Sequence, residues 1–116
     1  MANPVHSALA DDGTAVVTLL GEIDFSNSGD VAQGIQDAVS QWAPSTVYVD
    51  LKGASFIDST GLGALIEGYQ ASSKVECRFV VINPTAGFLR VLTVTGLCDL
   101  FGLGDSAEAL SSATGA

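Results

Sequence analysis

Asp58, Ser59 and Thr60 place a carboxylate and two hydroxyl groups side by side in the chain, a combination that can support chemistry. An apolar run at residues 47–51, typical of a β-strand, and a short predicted loop precede them. From Leu62 onward, an apolar i, i+3, i+4, i+7 pattern predicts a helix. A serine at a helix start lies beside unpaired backbone N–H groups and the positive end of the helix dipole. Three interpretations of Ser59 are open: a helix cap, a nucleophile, or a residue that carries a phosphate.

Nucleophilic catalysis lacks its usual partners in this sequence. The chain has one histidine, His6, in a weakly patterned N-terminal segment, so no general base accompanies Ser59. Glu22 and Asp24 are paired carboxylates that can do acid–base work, although solvated loop acids are the simpler interpretation. The residues around Ser59 do not form a Gly-x-Ser-x-Gly elbow. A dinucleotide loop beginning at Gly61 lacks its third glycine. We therefore predict no enzymatic activity and no cofactor.

The two cysteines, Cys77 and Cys98, are too few for a disulfide scaffold. They are either two small apolar core residues or a regulatory redox pair, and the sequence does not show whether they meet. With a single histidine, they form no metal-ligand set. We therefore predict no metal site.

Length and charge bound the remaining classes of function. The chain has 116 residues, which predicts one domain over 1–116 with a frayed tail at about 112–116. Its formal net charge is −9 with only four Lys and Arg, which predicts no binding to nucleic acid or to an anionic membrane and favours a basic partner. No apolar run reaches the ~20 residues of a membrane helix, and no signal peptide is evident. We predict a cytoplasmic protein.

Strand and helix patterns alternate along the chain. Strands are predicted at about residues 4–10, 15–20, 47–51 and 78–82, with a short final strand within 97–103, and helices are predicted from Asn27, from the Asp58 motif to about Ser73, from residues 83–85 to Thr95, and over 106–113. This order predicts an α/β domain with an N-terminal hairpin strand, a mostly parallel sheet of four to five strands, and about four helices. Asp24 and Ser59 both follow strands, so both should lie at the carboxyl edge of the sheet.

Three local patterns give finer predictions. Asn27 followed by Asp30 is similar to a capping box that opens the first helix. The near-continuous apolar run at residues 15–20 predicts a strand that is covered on both faces. In the third helix, Phe88, Val91 and Leu92 are predicted to face the core.

Three blocks in the same order give the chain a resemblance to the STAS-domain family, and within it to bacterial anti-sigma factor antagonists. The first is Gly21-Glu22-Ile23-Asp24. The second is Asp50-Leu51 with residues 56–63, which read Phe-Ile-Asp-Ser-Thr-Gly-Leu-Gly. The third comprises Arg90-Val91-Leu92, Thr95-Gly96-Leu97 and Leu100-Phe101. The resemblance covers nearly the whole chain, and the central block is specific.

The resemblance implies a binding protein that works by partner switching. Such a domain binds an anti-sigma factor that is also a serine kinase, and thereby frees a sigma factor. The kinase phosphorylates the serine after the motif aspartate, which releases the antagonist, and a serine phosphatase reverses the modification. By position, that serine is Ser59, and Asp24, Asp58, Thr60, Gly61 and Leu62 surround it. The free protein is expected to be a monomer. The helix dipole and backbone N–H groups are expected to stabilise the added phosphate.

Two alternatives stay open from the sequence. One is a STAS module that senses a nucleotide or another small anion at the same helix start. The other is a scaffold subunit of a larger stress-signalling complex in which the same serine is phosphorylated.

Overall fold

The computed structural model describes residues 3–103 of the chain, which form an α/β domain. Its elements, in order, are β1 (Val5–Leu9), β2 (Ala15–Ile23), α1 (Ser28–Trp42), β3 (Thr46–Ile57), α2 (Ser59–Lys74), β4 (Arg78–Ile82) and α3 (Ala86–Thr95). The strands lie side by side in the order β1-β2-β3-β4. β1 pairs antiparallel with β2, as the predicted hairpin requires, and the other two pairs are parallel. The sheet is therefore mixed.

The predicted final strand within residues 97–103 is not formed. The backbone N–H of Leu97 donates to Leu92 O, and that of Leu103 donates to Cys98 O, both at 2.8 Å. These local bonds fold the segment into turns. Among the described residues, its backbone bond to the sheet is the one from Val81 N of β4 to Phe101 O, also at 2.8 Å. Residues 3–103 contain three helices rather than about four. The predicted helix at 106–113 and the predicted frayed tail lie outside the described residues.

The core lies between the sheet and the helices that pack on it, and it includes residues of α1, α2, α3 and the turn after α3. Along β2, Ala15, Val17 and Leu19 are fully buried, whereas the alternate side chains are half-buried or exposed. The prediction that β2 is covered on both faces is therefore wrong within the described part of the chain. The apolar run did not distinguish one covered face from two, because Val16 and Leu20 are apolar yet lie on the more open face. Three consecutive residues of β4, 79–81, are buried, as expected for a strand covered on both sides.

Helix α2 packs closely because the centre of its buried face is built from small residues. Its buried residues are Gly61, Ala64, Leu65, Gly68 and Ser72. In the predicted apolar pattern Leu65 is fully buried, while the other three members are half-buried and pack against the core from the flanks. A Cβ at Gly68 would lie 2.8 Å from Cγ2 of Ile35. The absence of that atom lets α2 approach α1.

Helix α3 begins and ends where its capping residues predict. The Thr85 hydroxyl accepts from Phe88 N at 3.2 Å, and Gly96 ends the helix with a left-handed φ of 75°. Phe88 and Leu92 are buried, but Val91 is 43% exposed, so its predicted core position is wrong. The buried face is centred on the line through Phe88 and Leu92, with half-buried Leu89 on its inner flank and Val91 on the outer one.

Candidate functional site

Strand β3 leads into the candidate site around Ser59. It continues through the loop that the sequence predicted and ends at Ile57. Its pairing with β2 shifts register twice, between Thr18 and Leu20 and between Gly21 and Glu22, and β3 gains one residue at each step. The residues expected to form a loop are instead part of β3, where the extra residues form β-bulges. Such bulges often occur beside functional sites. As a result Ile23 pairs with Ile57, and the two strands end together.

Asp58 follows Ile57 and caps α2. One carboxylate oxygen, Oδ1, accepts from Thr60 N at 2.9 Å, from Gly61 N at 3.0 Å and from the Thr60 hydroxyl at 2.6 Å. The backbone N–H of Asp58 donates to Ile23 O at 3.1 Å. Asp58 therefore fixes the first turn of α2 and also joins it to the end of β2.

These hydrogen bonds determine the charge at the site. The Thr60 hydroxyl, followed by the Gly61 amide, holds the pKa of the Asp58 carboxyl below its usual value. A carboxyl with a lowered pKa is ionised at neutral pH. A fixed negative charge thus lies at the positive end of the α2 dipole.

Ser59 and Thr60 are both exposed, but their hydroxyl groups differ. The Thr60 hydroxyl donates to Asp58, whereas the Ser59 hydroxyl makes no hydrogen bond to any residue that the structure describes. The expectation that free N–H groups would stabilise an anion here needs correction. The amides of Thr60 and Gly61 already bind the Asp58 carboxylate.

Asp24 leaves β2 directly after Ile23, as Asp58 leaves β3 directly after Ile57. Because Ile23 and Ile57 are paired, the two acids lie at the carboxyl edge of the sheet. Ser59 follows Asp58 directly, so Asp24 and Ser59 share this edge, as the sequence predicted. Oδ1 of Asp24 accepts from the backbone N–H and the hydroxyl of Ser26 at 2.9 and 2.5 Å. Asp24 therefore shapes its own turn.

Asn27 precedes α1 as predicted, but it forms no side-chain cap, so the predicted capping box is wrong. Its Oδ1 accepts from Asp24 N at 2.9 Å, and its Nδ2 donates to Glu22 O at 2.8 Å. These backbone groups lie at the end of β2 and need partners where the strand gives way to the turn. Asn27 therefore stabilises the loop that presents Asp24. The local pattern could not show this choice, since both uses need the same amide.

Gly61 and Leu62 are packing residues of the site. A Cβ at Gly61 would lie 2.7 Å from Cγ2 of Ile57 and 2.9 Å from Cγ2 of Ile23, so glycine lets α2 begin against both strand ends. The half-buried Leu62 packs on the core, and its N–H donates to Asp58 O at 2.9 Å. The polar groups that the site presents therefore include those of Asp24, Ser59 and Thr60.

The other candidate residues lie apart from this edge. His6 lies on β1 opposite Thr18. Cys77, before the first residue of β4, is buried, and burial raises the pKa of its thiol. Cys98 follows α3 and is half-buried, and both thiols are free, so a redox pair stays a prediction. Among residues 3–103, no group of three or more His, Cys, Asp or Glu is placed to hold a metal ion. None of the helices in that range is long and apolar enough to cross a membrane.

Sequence reasoning missed two aromatic residues at the site. Phe25 is 81% exposed in the turn after Asp24, and Phe56 is 54% exposed near the end of β3. Phe56 belongs to the recognised motif, and Phe25 is an aromatic residue within a polar turn. Both signals were present, but the pattern did not show which face each side chain occupies.

Comparison with known proteins places this geometry in a family. The STAS domain model matches residues 7–110. An anti-sigma F factor antagonist from Lysinibacillus sphaericus is 30% identical over 84 residues, which cover 72% of each chain. The crystal structure of an anti-sigma factor antagonist from Mycobacterium paratuberculosis shares 30% identity and a TM-score of 0.66, covering 87% of this chain and 86% of that one.

A third similar protein is known in two chemical forms. The Bacillus cell fate determinant SpoIIAA in its phosphorylated form gives a TM-score of 0.67 at 25% identity, covering 83% of this chain and 86% of that one. The anti-sigma factor antagonist SpoIIAA in its unphosphorylated form gives 0.64 at 25% identity, with 77% and 81% covered. Because the STAS domain model matches most of this chain, the chain belongs to the STAS-domain family.

Proposed function

We propose that this protein is an anti-sigma factor antagonist that is switched off by phosphorylation of Ser59. The observation that carries the proposal is the exposed Ser59 hydroxyl, free of partners among the described residues, beside the ionised Asp58. Similar proteins that are anti-sigma factor antagonists support the role. A similar protein known in phosphorylated and unphosphorylated forms supports the switch. The partners are an anti-sigma factor serine kinase and a serine phosphatase, and the protein acts in the cytoplasm as a non-enzymatic monomer.

The hydrogen bonds favour Ser59 over Thr60 as the phosphate acceptor. The Thr60 hydroxyl donates to Asp58 at 2.6 Å, and phosphorylation would break this bond as well as form an ester. It would also place the phosphate next to the carboxylate that the hydroxyl had contacted. Ser59 has neither cost within the described residues, so the kinase acts on the unbonded hydroxyl.

Phosphorylation weakens partner binding through charge at the interface. A phosphate adds about −1.5 to −2 charges at neutral pH. Because Asp58 already occupies the amides of Thr60 and Gly61, the phosphate stays at the surface, facing the partner. A penalty of only ~3 kcal/mol weakens binding more than a hundredfold. Both forms of SpoIIAA share the fold of this chain, with TM-scores of 0.64 and 0.67, and we propose that the switch works without refolding.

The occupied amides also weigh against the alternative of an anion sensor. A nucleotide phosphate at this helix start would have to displace the Asp58 carboxylate or leave those amides unused. Tight nucleotide binding by the isolated protein would favour the sensor instead. A scaffold role predicts a large complex with its partners, which size-exclusion chromatography separates from a small assembly.

A phosphosite map combined with partner capture tests the proposal. Tagged wild-type protein and its Ser59→Ala variant are used to capture partners from a lysate of the source organism, and ATP is added to the purified complexes. We expect both to capture the same kinase, and mass spectrometry to find phosphate on Ser59 of the wild type only. Ser73→Ala, which changes another exposed serine in the last turns of α2, is the control and keeps the phosphate.

Mimicking the modification tests the switch. Ser59→Asp should weaken kinase binding while its far-ultraviolet circular dichroism spectrum stays that of the wild type. Phosphate on Thr60 or at another position in the wild type would contradict the acceptor assignment. Loss of helix in Ser59→Asp would instead favour a purely structural role for this residue.

A further inference from the structure

We infer that Leu20, Phe25 and Phe56 form an apolar contact surface that inserts into a pocket of the partner rimmed by Lys or Arg. The inference rests on the proposed function, because it names the surface and the partner chemistry of the same site. We call these three residues the aromatic edge.

Strand geometry places Leu20 and Phe56 on one open face of β2 and β3, and Phe25 follows directly where β2 ends. Side chains alternate along a strand, so Leu20 and Glu22 lie on the face opposite buried Leu19 and Ile23. Phe56 pairs with Glu22 and precedes Ile57, which packs on the core, so Phe56 shares that open face. Phe25 lies two residues beyond Ile23, and two residues span at most about 7 Å.

Local packing positions Leu20. Its neighbour on β3 is Gly53, where a Cβ would lie only 2.6 Å from Cδ2 of Leu20. Because Gly53 has no side chain, the Leu20 side chain can pack against the backbone at that position. Leu20 still remains 43% exposed, so this contact does not bury it.

The exposed apolar side chains of the aromatic edge indicate a surface that a partner covers. Phe25 and Phe56 are 81% and 54% exposed. Phe56 precedes the proposed phosphate acceptor by three residues, and Phe25 follows Ile23, the strand partner of Ile57, by two. Aromatic residues are enriched in the cores of protein interfaces, where a few anchors carry most of the affinity. A phosphate on Ser59 would then act at the border of the contact surface, where its charge is costly to desolvate.

The charges beside the aromatic edge specify the occupant. A shallow groove next to it is lined by Leu20 together with Glu22, Asp24 and Asp30, and its lining contains no Lys or Arg. With a formal net charge of −9 on the chain, this side favours a cationic surface. An apolar pocket with a basic rim meets both the phenyl groups and the carboxylates.

Single substitutions test the aromatic edge against a matched control. Phe25→Ser and Phe56→Ser are titrated against the purified kinase that the wild type captures, by calorimetry at several salt concentrations. Val75→Ser is the control, because Val75 is 61% exposed at the other end of α2, about 24 Å along the helix from Ser59. We expect each phenylalanine variant to bind at least about tenfold more weakly. Val75→Ser should bind like the wild type, and binding should weaken with salt.

The outcomes separate this inference from the proposed function. If the wild type binds the kinase and phosphorylation of Ser59 releases it, but both phenylalanine variants bind like the wild type, the aromatic edge is wrong and the proposed function stands. If the wild type binds no anti-sigma kinase, both fall. A wild-type dimer that Phe25→Ser converts to a monomer would assign the surface to a second copy of the chain and overturn the inference. Equal thermal midpoints of all variants establish that folding is unchanged.

Discussion

Asp58 binds both the hydroxyl and the backbone N–H of Thr60 through one carboxylate oxygen, at 2.6 and 2.9 Å. The same oxygen accepts from Gly61 N at 3.0 Å, and the Asp58 N–H reaches back to Ile23 O. One residue thereby caps α2, engages the second hydroxyl of the motif and joins two strand ends. It leaves Ser59 as the hydroxyl that a partner can reach.

Removing the cap should loosen the first turn of α2. Asp58→Ala leaves the amides of Thr60 and Gly61 without their acceptor, so we expect the thermal midpoint to fall by roughly 3–6 °C. Asp58→Asn keeps an acceptor oxygen and should lose less. Differential scanning calorimetry at neutral pH measures both changes. Equal midpoints for wild type and Asp58→Ala would mean that water replaces the carboxylate at no cost.

The stabilising effect of Asp58 should depend on pH in a fixed direction. Its pKa is lower in the folded protein than the ordinary value of 3.8, chiefly through the Thr60 hydroxyl, so the unfolded chain binds more protons in this range. Its contribution is fully present above the ordinary value and is lost as pH falls through the lower folded pKa. The stability difference between wild type and Asp58→Asn should therefore shrink below about pH 4. Urea unfolding across this range measures it.

The close packing of α2 on α1 should not accommodate a side chain in place of Gly68. A Cβ there would lie 2.8 and 2.9 Å from Cγ2 and Cδ1 of the fully buried Ile35. Overpacking costs about 1–3 kcal/mol, which exceeds the gain of up to ~1 kcal/mol from replacing glycine in a helix. Gly68→Ala should therefore destabilise the fold. Gly63→Ala, on the same helix with nothing within 4 Å of its Cβ position, should be neutral or stabilising, and chemical denaturation compares the two.

Loss of the Asn27 amide should free the loop that carries Asp24. The Asp24 N–H donates to Asn27 Oδ1 at 2.9 Å, whereas the Asp30 N–H donates to the backbone oxygen of Asn27 at 3.0 Å. In Asn27→Ala, amide hydrogen exchange should become faster at Asp24 and change little at Asp30. If protection at Asp24 persisted, another acceptor would be holding the turn.

The two thiols should react at different rates in the folded protein. Cys77 is buried and its thiol pKa is raised by that burial, so little thiolate is present to attack an alkylating reagent. Cys98 is half-buried and should be alkylated first at about pH 8, with Cys77→Ser and Cys98→Ser assigning the two rates. In denaturant the rates should converge. A mass difference between samples with and without reductant would instead reveal the predicted redox pair.

The long, regular patterns of the chain were sufficient for most of the fold. β1, β4 and α3 follow from a turn signal, a short apolar run and helix caps, because those signals act within a few residues. The strand character of residues 52–55 was missed, since their pairing depends on bulges opposite a distant strand. The exposure of Val91 was missed because the burial of a side chain at the flank of a helix face depends on which other elements pack against that flank.

The order of elements, the acidic charge and the motif that puts Ser59 at a helix start follow from the sequence alone. How the side chains are used depends on the folded structure. Pairing of Ile23 with Ile57 brings Asp24 beside Asp58, and Asn27 turns back to the loop rather than to its helix. The reason is physical: local propensity selects helices and strands, whereas hydrogen-bond partners and exposed faces depend on contacts between residues far apart in the chain.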